Sequence, residues 1–191
     1  LTHDELADMA QRFGFGSDLS IPLDVTPSEF PATTDAAQLA MSAIGQYDVQ
    51  VTPMQMAMIA QTVANKGTEM KPYLIEQVVD ADLQVQSTTS PQELATPISP
   101  EISSQLTQMM RAVVDEPYGS GTPMAIDGVA VAAELGDGSG RANAWAVGFA
   151  PADDPQIAFA VVVEGDDAQP VPHGGTVAGP IARALLEAGL K

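Results

Sequence analysis

The segment "VTPMQMAMIAQTVANKG", residues 51–67, contains the most clearly defined helix of the sequence. Thr52 can cap its N-terminus, Pro53 suits the first helical position, and Gln55 has the spacing that completes a capping box. Gly67 stands where such a helix is expected to stop. Methionine and isoleucine side chains leave the helix little polar surface, so we expect it to be buried, with its methionines filling the core.

Apolar spacing predicts four further helices. The first follows Thr2, and the second lies within residues 33–45. A third opens at Ser99 and Pro100, and its predicted apolar face consists of Ile102, Leu106, Met109, Met110 and Val113. The last lies within residues 179–190, and the side chains predicted to share its apolar face are Ile181, Ala184, Leu185 and Ala188.

Strand patterns fill the chain between these helices. Residues 71–88, "KPYLIEQVVDADLQVQST", alternate enough to predict a small hairpin around "DAD". Three strand candidates follow later in the chain, namely "VAVAAEL", "AWAVGFA" and "QIAFAVVVE". The unbroken apolar run from Ile157 to Val163 is typical of a strand that is covered on both faces and flanked by neighbours.

Composition excludes several classes of function. Lys and Arg number 7 against 25 Asp and Glu, and the formal charge of -18 disfavours nucleic acid as a partner. Cysteine is absent, and the two histidines, His3 and His173, lie far apart without an acidic cluster at ligand spacing. We therefore expect no metal site and no cofactor. The sequence has no apolar run long enough to span a membrane.

The glycine-rich stretch "GDGSG", residues 136–140, allows a phosphate loop, a hairpin turn or a reshaped active site. A phosphate loop leads from a strand into a helix, whereas a predicted strand follows here, so nucleotide binding is disfavoured. The sequence contains neither Ser-x-x-Lys nor Ser-x-Asn, the patterns that would supply a serine nucleophile and its partners. The sequence therefore carries no complete catalytic constellation.

Residues 42–67, "SAIGQYDVQVTPMQMAMIAQTVANKG", resemble the transpeptidase domain of penicillin-binding proteins, in which a Gly-Gln segment leads into a Thr-Pro-x-Gln-x-Ala helix. "MKPYLIEQVV", "GVAVAAELGDGSG", "AWAVGFAP" and the closing helix follow in that family's order. The likeness is greatest to monofunctional peptidoglycan transpeptidases of actinobacterial type. It implies an α+β fold related to serine β-lactamases, in which helices pack on an antiparallel sheet.

The resemblance also implies that residues 1–191 are one partial domain, the C-terminal portion of the transpeptidase fold. Its expected parts are a helical region at 1–67, a hairpin at 68–90, a helix at 99–116, three sheet strands at 126–165 and a helix at 179–190. In the family, two more strands from the N-terminal side complete the sheet beside the last strand. We expect that edge to be covered by an N-terminal segment, a rearranged helix or another copy of the chain.

In this family, a Lys-Thr-Gly-Thr strand holds the carboxylate of the substrate or of penicillin. Its positions fall here on Glu134, Leu135, Gly136 and Asp137, so that only the glycine is kept. An acid at the first position repels a carboxylate by about 1 kcal/mol in water at ~4 Å, and by more where water is partly excluded. The backbone N–H of Asp137 can still serve an oxyanion hole, and Arg141 is a weaker candidate for the missing cation.

Two functions fit this resemblance. The first is part of a D,D-transpeptidase that cross-links peptidoglycan, with a stem peptide or a β-lactam as ligand of the intact protein and with this chain alone inactive. The second is a non-catalytic scaffold or cell-wall interaction module. In both cases the resemblance implies a location outside the cytoplasm, in the cell envelope, within a membrane-anchored protein whose anchor is not in this sequence.

Overall fold

The computed structural model describes residues 1–19, 21, 23–33, 35–137, 143–165 and 173–191. Its helices are α1 (His3–Arg12), α2 (Ala36–Ser42), α3 (Pro53–Ala64), α4 (Pro100–Asp115) and α5 (Gly179–Gly189). Its strands are β1 (Glu69–Met70), β2 (Gln77–Val79), β3 (Val85–Thr88), β4 (Glu93–Ala95), β5 (Ala132–Asp137), β6 (Ala144–Ala150) and β7 (Ile157–Val163). The predicted α+β class is confirmed.

The main sheet is antiparallel, with the strand order β5-β6-β7. Helix α3 contacts β6 and β7, α4 contacts β5, and α5 contacts β6 and β7. Successive side chains of a strand point to opposite faces, so Ala132 and Ala133 enter two different apolar clusters. The cluster on the side of α5 contains Ala182 and Leu186, and the other contains Val63 of α3. Both faces of the sheet are therefore covered, as the apolar sequence of β7 predicts. The expected neighbour on the other edge of β7 is not found, because β6 is its one strand partner among the described residues.

Helix α3 begins and ends where the sequence predicts, but its capping box is incomplete. The Thr52 hydroxyl accepts a hydrogen bond from the Gln55 N–H at 3.2 Å, and Gly67 has a φ of 91°. The Gln55 side chain does not return to Thr52; its Nε2 donates to the Phe13 carbonyl at 2.6 Å, because this residue is fully buried against the end of α1. A complete capping box is found on α1 instead.

The apolar face predicted for α4 is partly wrong. Ile102 is 45% exposed and Met109 is 59% exposed, whereas Ser103 and Val114 are buried. The reason lies in the contact between α3 and α4, where the Ser103 hydroxyl donates to the Val63 carbonyl at 2.6 Å. A small polar side chain that bonds the neighbouring backbone is buried there, while Leu106 and Met110 pack beside it at the edge of the apolar cluster.

The face predicted for α5 is wrong as well. Its members Ile181, Ala184, Leu185 and Ala188 are all exposed, and the buried side is formed by Gly179, Ala182 and Leu186. Apolar residues occur on both sides of this helix, so their spacing does not distinguish the two. The side with glycine and alanine can approach the sheet more closely, and it is the side that packs.

The strand predicted at 129–135 lies three residues further along, at Ala132–Asp137. Gly128 has a φ of 79°, and the Val129 N–H bonds the Ile126 carbonyl at 3.1 Å, so Val129 belongs to a turn. Strands β2 and β3 form the predicted hairpin, while the pairing of β1 with β4 was not predicted. Within the part of the chain that the structure describes, no helix is both long and apolar enough to cross a membrane.

Candidate functional site

An open cleft of about 340 Å³ lies at the C-terminal end of β5. It is formed by the loop after α4, the end of β5 and the π-helical turn Gly174–Ala178 that leads into α5. The lining residues are Ser120, Leu135, Asp137, His173, Gly174, Gly175 and Thr176. Two of the four predicted site residues, Leu135 and Asp137, therefore lie in this cleft.

Two glycines let the π-helical turn approach the sheet. A Cβ atom on Gly174 would lie 2.6 Å from the Trp145 carbonyl oxygen and 3.2 Å from the Gly136 nitrogen. A Cβ atom on Gly175 would lie 2.6 Å from the Ser120 carbonyl oxygen. Real side chains do not tolerate such contacts with backbone, so glycine at both positions fixes the width of the cleft.

Asp137 connects three parts of the chain. Its Oδ1 accepts the Gly174 N–H at 2.7 Å, and its Oδ2 lies 3.0 Å from Nδ1 of His173. Its backbone carbonyl accepts a hydrogen bond from Nε2 of Gln46 at 3.0 Å. The Gly174 N–H, followed by the hydrogen bond with His173, lowers the pKa of the Asp137 carboxyl. The carboxylate is therefore ionised at neutral pH, and both of its oxygens have partners.

Glu134 is exposed and is not among the residues that line the cleft. It pairs with Val147 on β6, and strand alternation directs its side chain away from the face of Leu135 and Asp137. Desolvation raises the pKa of Glu134, and a hydrogen bond from the Leu135 N–H opposes that shift. Gly136 pairs with Trp145 inside the strand. Arg141 lies outside the described residues.

Several residues of the cleft were not identified from the sequence. They are His173, Ser120 and Thr176, and the same is true of Gln46, which contacts the Asp137 carbonyl. Two sequence features could have indicated some of these residues, namely the His-Gly-Gly sequence ahead of the last helix and the Gly-Gln pair in residues 42–67. These residues are distant in sequence from Asp137, so spacing could not predict that they meet it.

The cleft contains a serine, a histidine and an aspartate, the residue types of an acyl-transfer triad. Asp137 orients the His173 ring, but in the described part of the chain no hydrogen bond joins Ser120 to that ring. The His173 side chain is 65% exposed, unlike the water-excluded base of such triads. Among the described residues, no group of three or more His, Asp or Glu side chains is arranged to hold a metal ion.

Comparisons with known proteins agree on one family. The family model "Penicillin binding protein transpeptidase domain" matches residues 1–187. The peptidoglycan D,D-transpeptidase PbpA of Mycolicibacterium smegmatis is 41% identical over 98% of this chain, and that of Mycobacterium tuberculosis is 37% identical over the same share. The matched region is 39% of either relative, so the chain spans about two fifths of the length of these curated relatives.

Solved structures give the same result. Penicillin-binding protein A from M. tuberculosis, in a ceftriaxone acyl-enzyme complex, has a TM-score of 0.91 and 36% identity, covering 98% of this chain and 43% of that one. The D,D-transpeptidase domain of a peptidoglycan glycosyltransferase from Eggerthella lenta has a TM-score of 0.87 and 28% identity, covering 98% of this chain and 49% of that one. The fold expected from the sequence resemblance is confirmed.

Proposed function

The chain belongs to the penicillin-binding protein transpeptidase family, and from that premise we propose that it forms the C-terminal part of a peptidoglycan D,D-transpeptidase domain. The observation that carries the proposal is the position of β5, whose only strand neighbour among the described residues is β6 and whose end borders the cleft. An extended peptide can bind along such an edge through backbone hydrogen bonds. The cleft then receives its carboxyl end.

In this proposal, Glu134, Leu135, Gly136 and Asp137 take the positions of the carboxylate-binding motif. The motif is degenerate, because Leu135, which lines the cleft, offers no hydrogen-bond donor, and because Glu134, on the opposite face of β5, is an acid where the family has a cation. The Asp137 N–H is kept as a backbone donor for an oxyanion. No Ser-x-x-Lys or Ser-x-Asn occurs in the 191 residues, so this chain alone supplies no acylated serine.

A second candidate function is a non-catalytic scaffold or cell-wall interaction module. The observation that favours it is the occupation of the cleft by the protein's own carboxylate. The Gly174 N–H and the His173 ring, two groups that could hold a ligand's carboxylate, already bind Asp137. A ligand must displace Asp137 to use them.

We propose that the protein works in the cell envelope, outside the cytoplasm, where peptidoglycan is assembled. We propose as well that the outer edge of β7 is covered in the working protein by an N-terminal segment of the domain or by a second copy of the chain. Within the described ranges β7 is the last strand of the sheet, and the apolar residues of β7 are only half-buried, apart from Phe159.

The proposal is tested by ligand binding to the chain and to the double variant Glu134→Lys, Leu135→Thr. Incubation with a β-lactam should leave the intact mass of both proteins unchanged; a covalent adduct would contradict the absence of a nucleophile. NMR titration with a peptide ending in D-Ala-D-Ala should detect binding only in the double variant. Leu135→Thr alone is the matched control, because it adds the hydroxyl but keeps the acid. Equal, undetectable binding by all three proteins favours the scaffold.

A further inference from the structure

Residues 73–94, which we call the apolar hairpin, expose an unusual share of large apolar side chains. Of the 19 large apolar side chains that are exposed in the described structure, 8 lie in this segment. They are Tyr73, Leu74, Ile75, Val78, Val79, Leu83, Val85 and Leu94. Apolar side chains exposed at this density mark interaction sites in soluble proteins.

Among the described residues, nothing covers either face of the apolar hairpin. Every residue of β2 and of β3 is exposed, although side chains of a strand alternate between two faces. Val79 and Val85 oppose each other across the two strands and form an apolar pair that is open to water. A two-stranded hairpin without a packing partner is marginally stable at best, so this one gains from any surface that covers it.

The turn of the hairpin is held by its own hydrogen bonds. Oδ1 of Asp80 accepts the N–H groups of Asp82 and Gln84 at 3.0 and 2.9 Å, and its Oδ2 accepts Nε2 of Gln86 at 2.7 Å. Leu83 lies at the tip with a φ of 60° and is 78% exposed. That conformation disfavours a leucine, yet the position presents a large apolar side chain to the solvent. The hairpin is thus shaped before any partner binds.

The charge of the apolar hairpin has one sign. Residues 73–94 contain no Lys, Arg or His. Their acidic residues are Glu76, Asp80, Asp82 and Glu93. The whole chain carries a formal charge of -18. A second copy of the chain and an anionic lipid surface are therefore both repelled, whereas a basic segment is attracted.

We propose that the apolar hairpin is a docking site for an extended segment of a partner protein in which apolar side chains alternate with Lys or Arg. The segment adds as a strand to an outer edge of the hairpin, where backbone groups supply hydrogen bonds. Its apolar side chains cover the pair Val79 and Val85, and its cations lie beside Glu76 and Asp82. The site is separate from the cleft at β5 and does not depend on the function proposed there.

The test is an NMR titration of the full chain with two short synthetic peptides, one alternating Val with Lys and the other alternating Val with Glu. The Lys peptide should shift backbone amide signals of residues 77–88 and leave those around the cleft unchanged. The Glu peptide should bind at least about tenfold more weakly, as expected when several exposed ion pairs are replaced by repulsion. Absence of binding, equal binding of the two peptides, or shifts elsewhere would overturn the proposal.

Matched variants separate the contribution of apolar contact to peptide binding from the contribution of charge. Val79→Thr with Val85→Thr keeps the branched shape of the side chains and should weaken binding of the Lys peptide. Ile181→Gln with Leu185→Gln removes exposed apolar side chains from α5 and should leave that binding unchanged. Glu76→Gln with Asp82→Asn should reduce the preference for the Lys peptide, whereas Asp8→Asn with Asp48→Asn should leave it unchanged. Concentration-dependent dimerisation through the hairpin, or its binding to phosphatidylglycerol vesicles, would replace the proposed partner with a second copy or a membrane.

Discussion

A buried glutamate makes the stability of this chain depend on pH. Glu69 is 2% exposed, and burial raises the pKa of its carboxyl from 4.5 to about 7. Its Oε1 lies next to Gly14, as does the Gln55 side chain, whose Oε1 has no hydrogen-bond partner among the described residues. No ion pair to Glu69 is found in the described structure, and the surrounding groups do not offset the cost of its charge.

The sign and size of the effect follow from these values. The folded state binds the Glu69 proton more tightly than the unfolded state, so the full stability is present below pH 4.5 and is lost as the pH rises toward about 7. At about 1.4 kcal/mol per pKa unit, the loss amounts to about 3 kcal/mol. Glu69→Gln removes it, because the amide keeps the shape of the carboxyl without its charge.

The assay is urea unfolding of both proteins across this pH range, followed by the fluorescence of Trp145, the single tryptophan. Glu69→Gln should be more stable than the parent by about 3 kcal/mol at a pH above 7, and the difference should vanish near pH 4. Glu93→Gln is the control, because Glu93 is exposed on the paired strand β4. A difference that does not change with pH, or a loss of stability in Glu69→Gln at high pH, would refute the reasoning.

Three other predictions concern single hydrogen bonds and one turn. Ser103→Ala leaves the Val63 carbonyl without its buried donor and should lower the free energy of unfolding by about 1 kcal/mol, against no change for the exposed Ser104→Ala. Gly67→Ala places a side chain at a φ of 91° and against the Ile98 carbonyl, so the free energy of unfolding should fall by more than about 1 kcal/mol. An unchanged midpoint of urea unfolding would contradict this geometry. Asp137→Asn removes a carboxylate whose pKa is lowered, so the stabilisation that it gives the parent is present at neutral pH and lost in acid. Because the group is half exposed, the free energies of unfolding of parent and variant should differ by less than about 1 kcal/mol at neutral pH and should converge in acid, as measured by urea unfolding.

Features that depend on local sequence could be predicted. The start of α3 needs only Thr52 and Pro53, and its end needs only Gly67. The β2–β3 hairpin likewise follows from alternation around a polar turn. The fold class was identified by resemblance rather than from composition, and the comparisons agree with it.

Features that depend on packing between distant segments could not be predicted. Helix α5 has apolar side chains on both sides, and the sheet selects the side with Ala182 and Leu186 because small neighbours allow close approach. The burial of Glu69 follows from the short pairing of β1 with β4 and from its contact with the end of α1, and neither of these contacts has a pattern in the sequence. Contacts of this kind are decided by the folded shape.

The altered residues of the motif illustrate both cases, because the folded structure accommodates Asp137 and Glu134 differently. Asp137 is bound by the Gly174 N–H and by His173, so its charge belongs to the folded structure. Glu134 is bound by no cation among the described residues, and desolvation works against its charge. Replacing Glu134, which faces away from the cleft, should therefore disturb the fold little and act on ligand binding through its charge alone, whereas replacing Asp137 loosens the turn that shapes the cleft. Glu134 is for this reason the position at which the two proposed functions are best distinguished.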